Sequence, residues 1–223
     1  MVKPSRLLDT AALLFSVIVL ILALVGLGQT RMFSLALDQD QNLTWHLIRS
    51  AGITAYILLT ISVIWGLALS SRLIKDWSPG MLSMLMHSTI SWLALALGLI
   101  HALLLMVDKY FSYQISDIFV PFTGPYRPLA VGLGTLAFWI LLVVTLSFSA
   151  KRLIGHHIWK FIHFGSYIAF ALITAHGLLA GTDAEHLGFR LLLTAGVIVV
   201  VLLLGMRLGR ISQPKTHPSP ESA

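Results

Sequence analysis

Predominantly apolar stretches of about 18 residues or more recur along the whole of this chain. A helix of about 20 apolar residues spans the hydrocarbon core of a bilayer, whereas the core segments of soluble proteins are shorter. Lipid offers no hydrogen-bond partners, so backbone groups that cross it must be paired within helices or closed barrels. The stretches lack the two-residue alternation of barrel strands. The sequence therefore predicts an all-α integral membrane protein.

Composition agrees with this class. Hydrophobic residues make up 57% of the 223 residues and charged residues only 11%, where about 25% is usual for a soluble domain. The formal net charge is +6, but the basic residues flank the apolar stretches, so they indicate membrane topology rather than a nucleic-acid partner. Cysteine is absent, which excludes disulfides, thiolate-bound metals and iron–sulfur clusters.

Six transmembrane helices can be placed along the chain, and together they predict a six-helix bundle. Their bounds are Leu8–Gly28, Thr44–Ser70, Leu82–Met106, Pro128–Phe148, His157–Leu179 and Leu187–Met206. The first run is long enough to span and is predicted to be retained rather than cleaved as a signal.

The distribution of Lys and Arg predicts the orientation of the bundle. With the N-terminus inside, ten basic residues face the cytoplasm and five face the other side. The inner group is Lys3, Arg6, Arg72, Lys75, Lys151, Arg152, Lys160, Arg207, Arg210 and Lys215; the outer group is Arg31, Arg49, Lys109, Arg127 and Arg190. Both termini are therefore predicted to be cytoplasmic.

Four of the nine histidines lie well inside the predicted spans rather than at their ends, and at that depth ionisable side chains are costly and indicate function. His87 and His101 are 14 residues apart in the third span, and His163 and His176 are 13 apart in the fifth. At about 1.5 Å per residue these separations are about 21 Å and 19.5 Å. The two spans run in the same direction, so His87 is expected to face His163 near the cytoplasmic side, and His101 to face His176 near the outer side.

Rotation about the helix axis is a stricter criterion than depth. Fourteen residues at about 100° each return His101 to within about 40° of His87. Thirteen residues give about 220°, which turns His163 and His176 apart on a straight helix. Both histidines could still serve if the fifth helix is bent or wound differently, and Gly165 and Ser166 between them would permit a bend. Alternatively, the groups that the two histidines bind approach the helix from different sides.

Two facing pairs of imidazoles predict two b-type haems, one held between each pair. Two axial histidines leave no open position on the iron, which favours electron transfer over oxygen binding. A zinc ion would need all its ligands at one point, whereas these pairs lie about 20 Å apart in depth. The alternative for each histidine is a hydrogen bond between helices.

Three other side chains are candidates for contact with the haems. Arg49 lies inside the outer end of the second span, where it either extends to the headgroups or pairs with a haem propionate. Arg127 is a second candidate for a propionate. Phe170 lies between the two histidine levels and packs either between the macrocycles or in the helix core.

The longest loop, residues 107–126, is rich in aromatic side chains. They are Tyr110, Phe111, Tyr113, Phe119, Phe122 and Tyr126. The loop is interpreted either as an interfacial belt at the headgroups or as a lid over a group bound at the outer face.

At these residues the chain resembles the ferric reductase-like transmembrane domain family. The family includes ferric reductases, the membrane halves of NADPH oxidases and the haem-binding membrane subunit of a bacterial periplasmic methionine sulfoxide reductase system. The resemblance rests on H-x13-H (His87, His101) and H-x12-H (His163, His176), and the family shares this uneven spacing. The stretches TWHLIRSAGITAY, VPFTGPYRPLAVGLG and AHGLLAGTDA look like those of stand-alone bacterial members, and the resemblance covers nearly the whole chain.

The resemblance implies a haem-binding oxidoreductase component in the bacterial cytoplasmic (inner) membrane. Ferric reductases and NADPH oxidases continue into a domain that binds FAD and a nicotinamide, but no glycine-rich nucleotide motif is present here. Electrons are therefore expected from a separate cytoplasmic flavin reductase or from quinol. The acceptor at the outer face is expected to be ferric iron, oxygen or a periplasmic redox partner.

Residues 1–210 are predicted to form this single haem-binding domain, and residues 211–223 a disordered tail. Two alternatives remain at this point. One is a quinol-linked membrane cytochrome b subunit. The other, from a different class, is a haem-free transporter or assembly factor whose histidines form hydrogen bonds between helices.

Overall fold

A computed structural model describes residues 10–19, 21–22, 41–71, 73–74, 79–108 and 110–211. Every regular element within these ranges is helical, as predicted. The elements are α1 (Thr10–Val19), α2 (Gln41–Ser70), α3 (Gly80–Leu104), α4 (Ile115–Phe119), α5 (Pro128–Ala180), a short 3-10 helix (Thr182–Glu185) and α6 (Leu187–Ile211).

Four of these helices, α2, α3, α5 and α6, are long and apolar enough to cross a membrane. Only 33, 22, 28 and 17% of their respective most apolar stretches is buried inside the protein. Large apolar side chains such as Leu129 and Phe161 are instead 77% and 80% exposed, which an apolar environment such as lipid accommodates. The membrane-spanning class is therefore supported, whereas the count of six spans and the side of each terminus stay predictions.

Helix α5 is two helices joined at Gly155. Its 53 residues would extend about 80 Å if straight, more than twice the thickness of a hydrocarbon core of about 30 Å. Gly155 interrupts it with φ 82° and ψ 163°, a conformation that is open essentially to glycine alone. We call residues 128–154 α5a and residues 156–180 α5b; they correspond to the fourth and fifth predicted spans.

The two halves of α5 pack against each other as an antiparallel hairpin. Near the turn, the rings of Phe148 and Trp159 have centres 6.2 Å apart. At the other end, Arg127 Nη1 donates a hydrogen bond of 2.6 Å to the carbonyl of Leu179. The bundle therefore has a Gly155 end, predicted to be cytoplasmic, and an opposite end that carries Asp183, which we call the Asp183 end.

The bend that the sequence allowed at Gly165 or Ser166 is not found. Both residues keep helical backbone angles, since Gly155 is where α5 departs from them. Gly165 instead allows close packing within the hairpin, because a Cβ added there would lie 3.3 Å from Ile140 of α5a.

Helix α2 lies at the centre of the bundle and contacts α3, α5 and α6. Buried side chains from these helices form the core, among them Tyr56, Leu59, Leu67, Phe170 and Leu193. At the periphery, α1 packs on α3, where the Ser16 hydroxyl donates to the Thr89 carbonyl at 3.3 Å.

Some predictions concern residues outside the described ranges. Helix α1 lies within the first predicted span, Leu8–Gly28, but both ends of that span lie outside. The predicted disordered tail also lies outside, except for Ile211, which is helical and ends α6. The division into a domain of residues 1–210 and a tail therefore stays a prediction.

Candidate functional site

The structure brings the four histidines that lie well inside the predicted spans together as two pairs. The ring centres of His87 on α3 and His163 on α5b are 6.2 Å apart, and those of His101 and His176 are 6.3 Å apart. The ring planes cross at 71° and 78°. Helices α3 and α5b thus run in the same direction, and the angular offset along α5b prevents neither pair.

The pair at the Asp183 end is held by hydrogen bonds to backbone carbonyls. His101 Nδ1 lies 2.8 Å from the Ile48 carbonyl of α2, and His176 Nδ1 lies 2.9 Å from the Ala130 carbonyl of α5a. A carbonyl can only accept, so each Nδ1 carries the proton and Nε2 keeps its lone pair. Histidines that bind metals usually have this arrangement.

The pair at the Gly155 end has a different support. His87 Nδ1 lies 3.4 Å from the Ser62 hydroxyl, which in turn lies 2.7 Å from the Ser91 hydroxyl. His163 stacks on Trp159, with ring centres 5.2 Å apart and planes at 25°. Within the described part of the chain, the His163 ring makes no hydrogen bond.

Three glycines make room for the histidine rings. A Cβ added at any of them would meet an imidazole atom at 2.9 to 3.1 Å, closer than nearly all real Cβ contacts. The facing pairs are Gly52 with His101, Gly66 with His87, and Gly134 with His176. A side chain at any of the three positions would therefore press on the facing imidazole ring.

The residues at each pair fit a haem better than a bare metal ion. Two imidazoles that bind one metal from opposite sides, through bonds of about 2 Å, have ring centres roughly 6 Å apart, as both pairs do. In the part of the chain that the structure describes, no group of three or more His, Cys, Asp or Glu is placed to hold a metal. Each pair thus offers two imidazoles, and a tetrapyrrole would supply the remaining donors to an iron held between them.

A cavity of about 510 Å³ surrounds His101 and His176. Cofactor sites in proteins commonly have about 300–1,000 Å³, with apolar walls and a few polar groups. Here most of the lining residues are apolar. The charged ones are Arg49, Asp108, Asp117 and Asp183.

Arg49 pairs with Asp183, a residue that the sequence analysis did not select. The two side chains form an ion pair in which Nε donates to Oδ2 at 2.6 Å, and Asp183 is buried. The guanidinium also lies 3.9 Å from the centre of the Trp45 ring. The charge of Arg49 is therefore balanced inside the protein, and its contact with a propionate stays a prediction.

Arg127 and Phe170 also have partners within the protein. Arg127 precedes α5 in a left-handed conformation and donates to the Leu179 carbonyl, so it caps the C-terminal end of α5b. Phe170 is 5% exposed and stacks on Tyr56, with ring centres 5.9 Å apart. Phe170 thus packs in the core between the two histidine levels, and a contact of either residue with haem stays a prediction.

The aromatic loop covers the cavity and also presents side chains outward. Tyr113, Phe119 and Tyr126 line the cavity, and the Trp139 indole donates to the Phe119 carbonyl at 2.8 Å. Tyr113 is buried, and this burial raises the pKa of its phenol above the ordinary value. Tyr110, by contrast, is 64% exposed. Phe111 and Phe122 are exposed as well. The loop therefore covers the cavity on one side and presents rings outward on the other, as an interfacial belt would.

Sequence reasoning missed the residues that support the histidines. The glycines of α2 did leave a signal, because Gly52 and Gly66 are 14 residues apart, the same spacing as His87 and His101. Asp183 has no comparable signal in the sequence, because it lies 134 residues after its partner Arg49.

The functional conclusion therefore rests on the geometry of the two histidine pairs alone. The resemblance stated from the sequence stays a prediction. A comparison of this chain with protein-family models, characterised proteins and solved structures finds no match.

Proposed function

We propose that this protein transfers electrons across a membrane through two b-type haems, each held by one histidine pair. One observation supports the proposal above the others: two pairs of imidazoles, on the same two helices, with ring centres 6.2 and 6.3 Å apart. A haem held by each pair would supply one-electron redox chemistry at its iron.

The roles of the residues follow from their positions. His87 and His163 hold the haem at the Gly155 end, and His101 and His176 hold the haem at the Asp183 end. The carbonyls of Ile48 and Ala130 fix the tautomer of the second pair, which leaves both Nε2 atoms as ligands.

The buried core between the two levels contains Tyr56 and Phe170, whose rings are stacked. These side chains exclude water from the region between the two sites.

The proposed direction is from the cytoplasm outward. A cytoplasmic flavin reductase, or quinol in the membrane, donates at the Gly155 end. Ferric iron, oxygen or a periplasmic redox partner accepts at the Asp183 end, where the cavity lined by His101 and His176 lies. This direction rests on the predicted orientation of the bundle.

A pyridine haemochrome assay on detergent-purified protein, with a reduced-minus-oxidised spectrum, tests the proposal. The unaltered chain is expected to contain about two low-spin b-type haems, because each pair would provide two imidazoles to one iron. His101→Ala is expected to contain about one haem, since the pair at the Gly155 end is intact. His157→Ala is the matched control, because this histidine is exposed and belongs to neither pair.

Each other outcome has a definite meaning. Two haems in His101→Ala would show that this histidine is not a ligand. One haem in the unaltered chain would be compatible with electron transfer but would contradict the assignment of one haem to each histidine pair. Absence of haem from the purified protein, after expression with ample haem supply, would contradict the proposal and favour a haem-free transporter or assembly factor.

A further inference from the structure

The indole N–H of Trp159 stands out among the polar groups of the described residues. Its nitrogen is buried and has no hydrogen-bond partner there. Two other indoles have acceptors: Trp65 donates to the Ser83 carbonyl at 3.1 Å, and Trp139 donates to the Phe119 carbonyl at 2.8 Å. A buried donor without an acceptor is rare in proteins, because its lost hydration is not replaced.

Trp159 lies directly beside the histidine pair at the Gly155 end. Its ring is stacked on that of His163, with centres 5.2 Å apart. Because the two residues are four apart on α5b, their side chains project from the same face of the helix. A ligand held by His163 would therefore be a close neighbour of the indole.

Positive charge surrounds the same place. Lys151 Nζ lies 3.9 Å from the centre of the Trp159 ring, and Arg207 donates to the Tyr167 hydroxyl at 3.0 Å. The Arg207 guanidinium also lies 5.8 Å from the centre of the ring of Phe164, the residue after His163. Within the described ranges, neither Lys151 nor Arg207 forms an ion pair with an Asp or Glu. All the carboxylates in these ranges lie at the opposite, Asp183 end: Asp108, Asp117, Asp183 and Glu185.

We propose that Trp159 Nε1–H and the Lys151 ammonium bind a carboxylate of the tetrapyrrole held between His87 and His163. This inference rests on the proposed function. Haem b carries two propionate carboxylates, and a carboxylate accepts a charge-assisted hydrogen bond from a buried donor more strongly than a neutral group does. The group that satisfies Trp159 is thus part of the cofactor itself.

The test compares haem b with its dimethyl ester, in which the carboxylates are neutralised. Both are titrated into the haem-depleted full chain carrying His101→Ala, so that binding at the Gly155 end is measured. Trp159→Phe keeps an aromatic ring but removes the N–H. It is expected to weaken the binding of haem b about tenfold or more and to change the binding of the ester much less.

Two further variants complete the design. Trp65→Phe is the matched control, because its N–H already has an acceptor; it is expected to affect both ligands equally. Lys151→Gln removes the positive charge and is expected to weaken haem b selectively, so it carries the test if Trp159→Phe does not fold. His176→Ala replaces His101→Ala as the background if that variant does not fold.

The outcomes separate this inference from the proposed function. Equal weakening of haem b and its ester by both Trp159→Phe and Lys151→Gln would show that these residues only pack, which overturns the carboxylate site while leaving the haem pairs intact. Failure of the unaltered chain to bind either ligand would overturn the proposed function and this inference together.

Discussion

At the scale of residues, the two histidine pairs share one spacing but differ in what holds them. His101 and His176 are fixed by carbonyls at 2.8 and 2.9 Å, whereas His87 has a longer contact with a hydroxyl and His163 stacks on an indole. A hydrogen bond to Nδ1 orients an imidazole and raises the basicity of its other nitrogen. The two sites are therefore chemically inequivalent.

Gly52→Ala tests whether the space around His101 matters. The new Cβ would lie 2.9 Å from Nδ1 and Cε1 of His101, so the ring must move and its bond to the Ile48 carbonyl is lost. Loss of such support typically lowers metal affinity about 10–100-fold. We expect the haem content to fall towards one per chain in the pyridine haemochrome assay.

The control for this variant is Gly80→Ala, where an added Cβ meets nothing within 4 Å. It is expected to retain both haems. Full haem content and an unchanged spectrum in Gly52→Ala would contradict the role assigned to this glycine.

Part of the site could be predicted from the sequence at this scale. The spacings of 14 and 13 residues were sufficient to match the histidines in depth, because helical rise is nearly constant. Spacing alone does not show which carbonyl a ring reaches, since this depends on how two helices pack. The ion pair between Arg49 and Asp183 could not be predicted for the same reason.

At the scale of elements, Gly155 determines whether α5 folds back into a hairpin. Gly155→Ala is expected to lower the free energy of unfolding by about 1–3 kcal/mol, because alanine is strained at φ 82° and ψ 163°. Unfolding with a denaturing detergent in mixed micelles measures the change.

Gly205→Ala in α6 is the matched control, since an added Cβ there meets nothing within 4 Å. It removes a flexible residue from a helix and is expected to be neutral or stabilising by up to about 1 kcal/mol. Equal stability of Gly155→Ala and the unaltered chain would show that the turn does not require glycine.

The helices themselves were largely predictable, because apolar length fixes where a chain can span. The second predicted span, Thr44–Ser70, and helix α2, Gln41–Ser70, end at the same residue. The break in α5 falls at Gly155, between the fourth and fifth predicted spans. A bend at Gly165 or Ser166, one of the alternatives that the sequence left open, is not found. Gly165 instead packs closely against Ile140.

At the scale of the whole molecule, the orientation in the membrane can be tested cleanly because the chain has no cysteine. His157 and His186 are exposed at opposite ends of the bundle. With the predicted topology, a membrane-impermeant maleimide is expected to label His186→Cys in intact spheroplasts and His157→Cys only in inverted vesicles.

Each variant is the control of the other, since the same reagent and chain are used. Labelling of both from the same side would show that the two ends do not lie on opposite faces. Labelling in the reverse order would invert the proposed direction of electron flow.

The carbonyl contacts of His101 and His176 also link the pair to two further helices. Through Ile48 and Ala130, the site joins α2, α3, α5a and α5b at one point. A ligand bound there stabilises the folded chain by mass action, by about 2.7 kcal/mol when its free concentration is 100 times the Kd. Under the proposed function, haem supply would therefore govern how long this protein survives proteolysis in the cell, so its abundance would follow haem synthesis even at constant transcription.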